Sequence, residues 1–134
     1  MKYWLVKSEP FKYSWNDLVK DKWTYWDGVR NYGARNFLKQ MQVGDLVLYY
    51  HSNEGLEVVG YAKVIKEHYQ DPTTDDDRWV AVDIEPVKAL SNSVTLKEIK
   101  SDHKLKDMRL IRQSRLSVMP VTKDEFDYIV LLGA

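Results

Sequence analysis

The hydrophobic positions of this chain fall into short alternating runs, broken by proline, glycine and helix-capping residues, which predicts strands joined by brief helices. The run Tyr3–Ser8 puts Trp4, Val6 and Ser8 on one face and stops at Glu9-Pro10, where Pro10 cannot donate to a ladder and pushes Glu9 into an extended conformation. Ser14 reads as an N-cap with Asp17 in the first turn, opening a helix to about Lys20. A second helical period begins near Gly33, with Ala34, Phe37, Leu38 and Met41 on one face. Val43-Gly44-Asp45 then turns into the strongest strand signal, Leu46–His51, whose Leu46, Leu48 and Tyr50 oppose Val47, Tyr49 and His51. Ser52-Asn53-Glu54-Gly55 is a hairpin loop into a strand over 56–65, its antiparallel neighbour, where Gly60 marks a bulge or a close backbone approach.

Residues 69–77 have loop composition, and 79–85 alternate with Val80, Val82 and Ile84 inward. Trp79 sits with the polar set, either as a cap over the sheet edge or as a wall of a site, and Pro86 is expected to end the strand. Thr95-Leu96-Lys97-Glu98 is a capping box, and Leu105, Met108, Leu110 and Ile111 are apolar enough to keep the next segment packed. A short strand over 115–120 ends at Pro120, and a second capping box, Thr122-Lys123-Asp124-Glu125, opens a last helix that turns Phe126, Ile129 and Val130 to the core. No repeat, low-complexity tract or linker interrupts the 134 residues, so one domain over 1–134 is expected. Its class is α+β, a largely antiparallel sheet with short peripheral helices, and a small closed or half-closed barrel is the natural way to hide the sheet edges.

One stretch follows neither period. Residues 26–36, Trp26-Asp27-Gly28-Val29-Arg30-Asn31-Tyr32-Gly33-Ala34-Arg35-Asn36, set rings, guanidinium groups and carboxamides around two glycines. Such a mixture suits a pocket for a planar ligand, rings for its faces and polar groups for its edge, while an ordinary loop entering a helix has the same composition. The helix start that follows carries free N–H groups suited to phosphate or carbonyl oxygens.

Composition narrows the classes. An aromatic fraction of 13%, with five tryptophans and nine tyrosines, is high for rings used only as core filler. The absence of cysteine removes disulfides and thiolate chemistry, which fits a reducing cytosol, and no stretch approaches the roughly 20 apolar residues that span a bilayer. A soluble protein without a membrane partner is expected. Zero net charge argues against non-specific coating of DNA, yet residues 97–115 are locally basic and the acids gather at Asp71, Asp75, Asp76 and Asp77 and around Asp124. For catalysis the candidates are Ser8, Glu9, His51, Ser52, His68 and His103, with no nucleophile elbow, phosphate loop or metal-ligand spacing among them. His51-Ser52 is the best polar pair, and a hydrogen-bonded structural role competes with a catalytic one. No enzyme activity, cofactor or metal is expected.

Four separated motifs, Tyr3-Trp4-Leu5-Val6-Lys7-Ser8-Glu9-Pro10, Trp26-Asp27-Gly28-Val29-Arg30-Asn31 with Ala34-Arg35-Asn36, Tyr50-His51-Ser52, and Arg112-Gln113-Ser114-Arg115-Leu116-Ser117-Val118, together resemble the EVE domain family. The resemblance implies a PUA-like fold related to YTH domains, and a reader of modified bases, with modified cytosine in DNA the leading ligand class and modified RNA a further one. It implies a base pocket of Lys7, Ser8, Glu9, Trp26, Asp27, Gly28, Val29, Arg30, Asn31, His51, Ser52, Arg115, Leu116 and Ser117. Trp26 would correspond to the first ring of an aromatic cage and Trp79 to a second. Asn31 would read the base edge, and Arg30, Arg35, Arg109 and Arg112 would meet phosphates. A bacterial-type member would be cytoplasmic and a eukaryotic one nuclear. The competing readings are a hydrolase acting on a nucleotide-like substrate through His51 and Glu9, and a small-molecule sensor using the same pocket.

Overall fold

In the computed structural model, which describes residues 1–134, the chain runs β1 (Tyr3–Ser8), α1 (Trp15–Asp21), β2 (Thr24–Trp26), α2 (Tyr32–Gln40), β3 (Leu46–His51), β4 (Glu57–Gln70), β5 (Val80–Thr95), α3 (Leu96–Ser101), α4 (Arg109–Arg112), β6 (Val118–Val121) and α5 (Lys123–Leu132). One six-stranded sheet has the order β2-β5-β4-β3-β1-β6. Every pairing is antiparallel except β1 with β3, and β2 and β6 are the free edges of an unclosed sheet. The parallel pair is buried on both faces, as such pairs require. On one side Trp4, Val6, Val47 and Tyr49 join Trp15, Leu18, Ala34 and Leu38 from α1 and α2. On the other, Leu5, Leu48 and Tyr50 join Ile99 from α3, Leu105 and Met108 from the segment between α3 and α4, and Phe126 and Ile129 from α5.

Helix starts follow the hydroxyls. Ser14, Thr95 and Thr122 each accept from the N3 backbone N–H, while Asp17, Glu98 and Glu125 reach back to the cap N–H. Gly60 fills both expected roles: the β3–β4 register shifts beside it, and a Cβ there would come within 2.7 Å of the Trp15 ring. Asp45 is buried and knits the β3 entrance, accepting from the Lys2 and Gln42 N–H groups and from Trp4 Nε1.

Three sequence expectations change. The sheet does not close into a barrel, because β2 and β6 find no partner on their outer sides and stay as edges. Strand β5 passes through Pro86 to Thr95, because Pro86 lies opposite Ala62 at a register shift, where the ladder is already interrupted. Likewise β6 passes Pro120, since it is an edge strand with one partner. Residues 24–26 form a further strand, where the sequence reading assigned no element. No helix is long and apolar enough to cross a membrane.

Candidate functional site

Strand β2 sets the site by alternation. Paired with β5 through Thr24 opposite Ile84 and Trp26 opposite Val82, it sends Trp26 into the first core, edge-on to Tyr49 with centroids 5.4 Å apart, and leaves Tyr25 41% exposed. The chain then turns at Gly28, whose φ of +74° favours glycine. What holds the turn is Asp71, a fully buried carboxylate. It accepts from Gly28 N (2.8 Å), Arg30 Nη1 (2.9 Å), Thr73 N (2.7 Å) and Thr73 Oγ1 (2.6 Å). Burial by itself pushes this carboxyl pKa up, but the bonds from Thr73, Arg30 and Gly28 outweigh it and hold the group at about 2. The loop ends at Asn31, which caps α2 by accepting the Ala34 N–H at 3.0 Å.

Between this loop, β2 and the end of β1 lies a cleft of about 530 Å³, within the range of small-ligand pockets. One wall is Trp26 through Arg30, another is Lys7, Ser8 and Glu9 with Ser117, and Lys12, Tyr13, Thr24 and Tyr25 complete it. Ser8 Oγ donates to the Tyr13 carbonyl at 2.6 Å, and the Tyr49 hydroxyl donates to the same oxygen at 3.0 Å, so the Tyr13 backbone is fixed from below. Lys7 donates from Nζ to the Ser114 carbonyl (2.7 Å) and from its backbone N–H to Ser117 (2.9 Å). Burial lowers the Lys7 ammonium pKa.

The cleft is mixed in charge. Lys12 lies 3.5 Å from Glu9, and Arg30 is paired with Asp71, while Asp27 forms no ion pair. The Asp27 carboxyl pKa is raised, chiefly by burial and further by the nearby Asp71 charge, against the pull of its own backbone N–H and Arg30. The cleft therefore offers aromatic walls, a donor ammonium, a hydroxyl oxygen and an acceptor carboxylate, which suits a planar heterocycle with donors and acceptors on its edge.

Of the residues singled out in the sequence, Lys7, Ser8, Glu9, Trp26, Asp27, Gly28, Val29, Arg30 and Ser117 meet at this cleft. His51 and Ser52 stand behind it. The Trp15 N–H donates to His51 Nε2 at 3.0 Å, holding that nitrogen as an acceptor, and the Ser52 N–H donates to the Ser8 carbonyl at 2.9 Å. Burial lowers the His51 pKa, with Glu57 acting weakly against it. Asn31 is committed to its cap and does not line the cleft, so the groups available to read an edge there are Ser8, Lys7 and Asp27.

Trp79 does not face Trp26 across the cleft. It packs against Tyr32 at 5.1 Å, with the Arg30 and Arg78 guanidinium groups 5.7 and 5.9 Å from its ring. Arg35 covers the other ring of that stack, 5.0 Å from Tyr32, and bonds to Asn36 and the Arg78 carbonyl. Farther off, Arg109 lies 5.3 Å from the Phe37 ring, Arg112 pairs with Asp107 at 3.0 Å, Leu116 packs near Gly33, and Arg115 is exposed. The sequence reading missed Lys12, Tyr13, Thr24 and Tyr25 at the cleft. Alternation across residues 23–26 was the available signal for the last two. Asp71, grouped there with surface acids, is the buried clasp of the loop, and nothing local marks it out.

The EVE domain family model matches residues 2–132. A crystal structure of a protein from Agrobacterium tumefaciens superposes with a TM-score of 0.97 at 43% identity, covering 100% of this chain and 94% of that one. The human THYN1 protein, solved in complex with DNA containing 5-methylcytosine, superposes at 0.91 with 36% identity, covering 99% and 98%. Thymocyte nuclear protein 1 of Mus musculus is 39% identical over 164 aligned positions, spanning 97% of this chain and 73% of its own length. An ASCH protein from Zymomonas mobilis, 11% identical with a TM-score of 0.62, shares the fold.

Proposed function

The chain belongs to the EVE domain family, and on that premise we propose that it is a nucleic-acid-binding module whose cleft holds a modified base, modified cytosine in DNA being the leading ligand class. The observation that carries this reading is the cleft itself. About 530 Å³ is bounded by Trp26 and Tyr25 and edged by Lys7, Ser8 and Asp27, in a chain 36% identical to a THYN1 protein solved with 5-methylcytosine DNA. A base drawn out of its stack loses a few kcal/mol of stacking and pairing, and ring contacts worth roughly 1–3 kcal/mol with edge hydrogen bonds must offset that.

Asp27 gives the edge a preference. A carboxylate accepts from the 4-amino group of a cytosine and repels the 4-carbonyl of a thymine, whereas Lys7, with N–H groups left beyond the one given to Ser114, can donate to ring acceptors, and Ser8 Oγ, whose proton goes to Tyr13, can only accept. Arg30, Arg35 and Arg78, arranged around Tyr32 and Trp79 beside the loop, are the cations nearest to receive phosphates on that side. Two features weigh against the hydrolase alternative through His51 and Glu9. His51 Nε2 is taken by the Trp15 N–H, and His51 does not reach the cleft that Glu9 lines.

The test is fluorescence anisotropy with labelled oligonucleotides that differ only in one modified cytosine. Tighter binding of the modified strand is expected, with affinity that falls as salt rises because phosphate contacts release counterions. Asp27→Asn should shrink the preference for a 4-amino pyrimidine over a 4-oxo one. Equal affinity for modified and unmodified strands would overturn the reading, and salt-independent binding of a free small molecule would favour the sensor instead.

A further inference from the structure

A second depression adjoins the cleft, lined by Tyr13, Asp21, Trp23, Thr24, Tyr25 and Asp27, with a volume of about 510 Å³. Four of these residues, Tyr13, Thr24, Tyr25 and Asp27, are walls of the cleft as well, so occupants of the two depressions are immediate neighbours. Its distinctive wall is Trp23, 49% exposed, beside Tyr25 at 41%, a large apolar area to leave in water. Local geometry keeps the rings there. Helix α1 closes through Lys22, a non-glycine residue at φ +73° whose N–H returns to the Leu18 carbonyl, and Trp23 emerges from that turn directly ahead of β2. Alternation along β2 then gives Trp26 to the core and Tyr25 to the outside.

We propose that Trp23 and Tyr25 form a stacking subsite for the nucleobase adjacent, on the same strand, to the base held in the cleft. This rests on the cleft being a base site. Charge selects which part of the neighbouring nucleotide enters: Asp21 and Asp27 edge the depression and repel phosphate, whereas Lys7, Lys12 and Arg30 stand on the cleft side. Tyr13, whose hydroxyl donates to Asp21 Oδ2 at 2.7 Å, lines both depressions. An exposed ring pair beside acceptor carboxylates suits the face and amino edge of a base, and stacking of this kind tolerates any base identity.

The experiment measures anisotropy for wild type, Trp23→Ala and Trp23→Phe with single-stranded oligonucleotides that carry one modified cytosine and either intact flanks or an abasic site on one side or the other. Trp23→Ala should weaken binding of the intact strand about 5- to 150-fold, the range that loss of one stacked base gives. Trp23→Phe should recover much of it. An abasic site on one side should weaken the wild type by a similar factor and add little to Trp23→Ala, while the free modified nucleoside binds both proteins equally. Unchanged affinity in Trp23→Ala, or losses that multiply fully in the combination, would overturn the subsite even where modified and unmodified strands are still distinguished. Loss of that distinction, with the Trp23 coupling intact, would instead refute the cleft's preference for a modified base and leave the platform standing beside an unselective base site.

Discussion

Replacing Asp71 with asparagine removes a charge while keeping the side-chain shape, at the point where the 27–31 loop is fastened to the 71–79 segment. The folded carboxyl is held at about 2 against an ordinary 3.8, a difference that corresponds to at most about 2.5 kcal/mol of preferential stabilisation of the ionised form. Arg30 is 40% exposed, so solvent screening reduces this part to about 1–2 kcal/mol. The carboxamide also puts an NH2 group where a carboxylate oxygen of the wild type accepts from two of the Gly28, Arg30 and Thr73 donors, and a buried donor left unpaired costs about 1–3 kcal/mol. Asp71→Asn should therefore lose about 2–5 kcal/mol at pH 7, read by urea unfolding with tryptophan fluorescence. A carboxyl whose folded pKa is depressed contributes in full above its unfolded value, and that contribution disappears as pH falls from about 3.8 toward 2. The gap between wild type and variant should accordingly be constant from pH 7 to about 5 and narrow below 4. A gap under about 0.5 kcal/mol at pH 7, or one indifferent to acid, would refute the clasp. Oligonucleotide affinity should fall in the same variant, because Gly28 and Arg30 lose their anchor.

Gly60→Ala should destabilise by about 1–3 kcal/mol in the same unfolding assay, because the new methyl meets the Trp15 ring at 2.7 Å, with no change in the slope against denaturant. Asn31→Ala should cost about 1 kcal/mol and Asn31→Ser should restore it at unchanged oligonucleotide affinity, a pattern that separates a helix cap from a base-reading group. His51, whose pKa is lowered in the fold, favours the neutral ring. Its contribution is complete above about pH 6.5 and declines as pH drops below that value, so unfolding midpoints should fall from pH 7 to 5 in the wild type and fall less in His51→Gln, whose carbonyl can accept the Trp15 N–H.

Local rules carried most of the element map. The Ser14 N-cap, the two capping boxes at Thr95 and Thr122, the alternation of β3 and the proximity marked by Gly60 are short-range consequences of hydrogen-bonding capacity and side-chain size, and they reappear in the fold at the same residues. Pro86 and Pro120 were misjudged for the opposite reason. Whether a missing N–H ends a strand depends on what lies across from it, an interrupted ladder for one and an open edge for the other. The α+β class and the mostly antiparallel sheet were legible, while the open order ending in β2 and β6 was not, since edges are set by which strands find partners.

The cleft divides in the same way. The residues from Trp26 to Arg30 stood out in the chain because rings, charges and glycine crowd together there in no regular period, and Lys7, Ser8 and Glu9 were reached through the resemblance to the EVE family. Their neighbours Lys12, Tyr13, Thr24 and Tyr25 came from segments that look ordinary until β2 docks on β5. Asn31, His51 and Trp79 have the chemistry of ligand-binding groups, but folding directs them to a helix cap, to the first N–H of α1 and to Tyr32. Residue type and spacing thus determined which chemistry this chain carries and roughly where. The tertiary structure decided which of those groups remain free at a cleft, because a buried polar group must be paired, and the partner that pairs it, as Asp71 does for Gly28 and Arg30, lies some forty residues away in the chain.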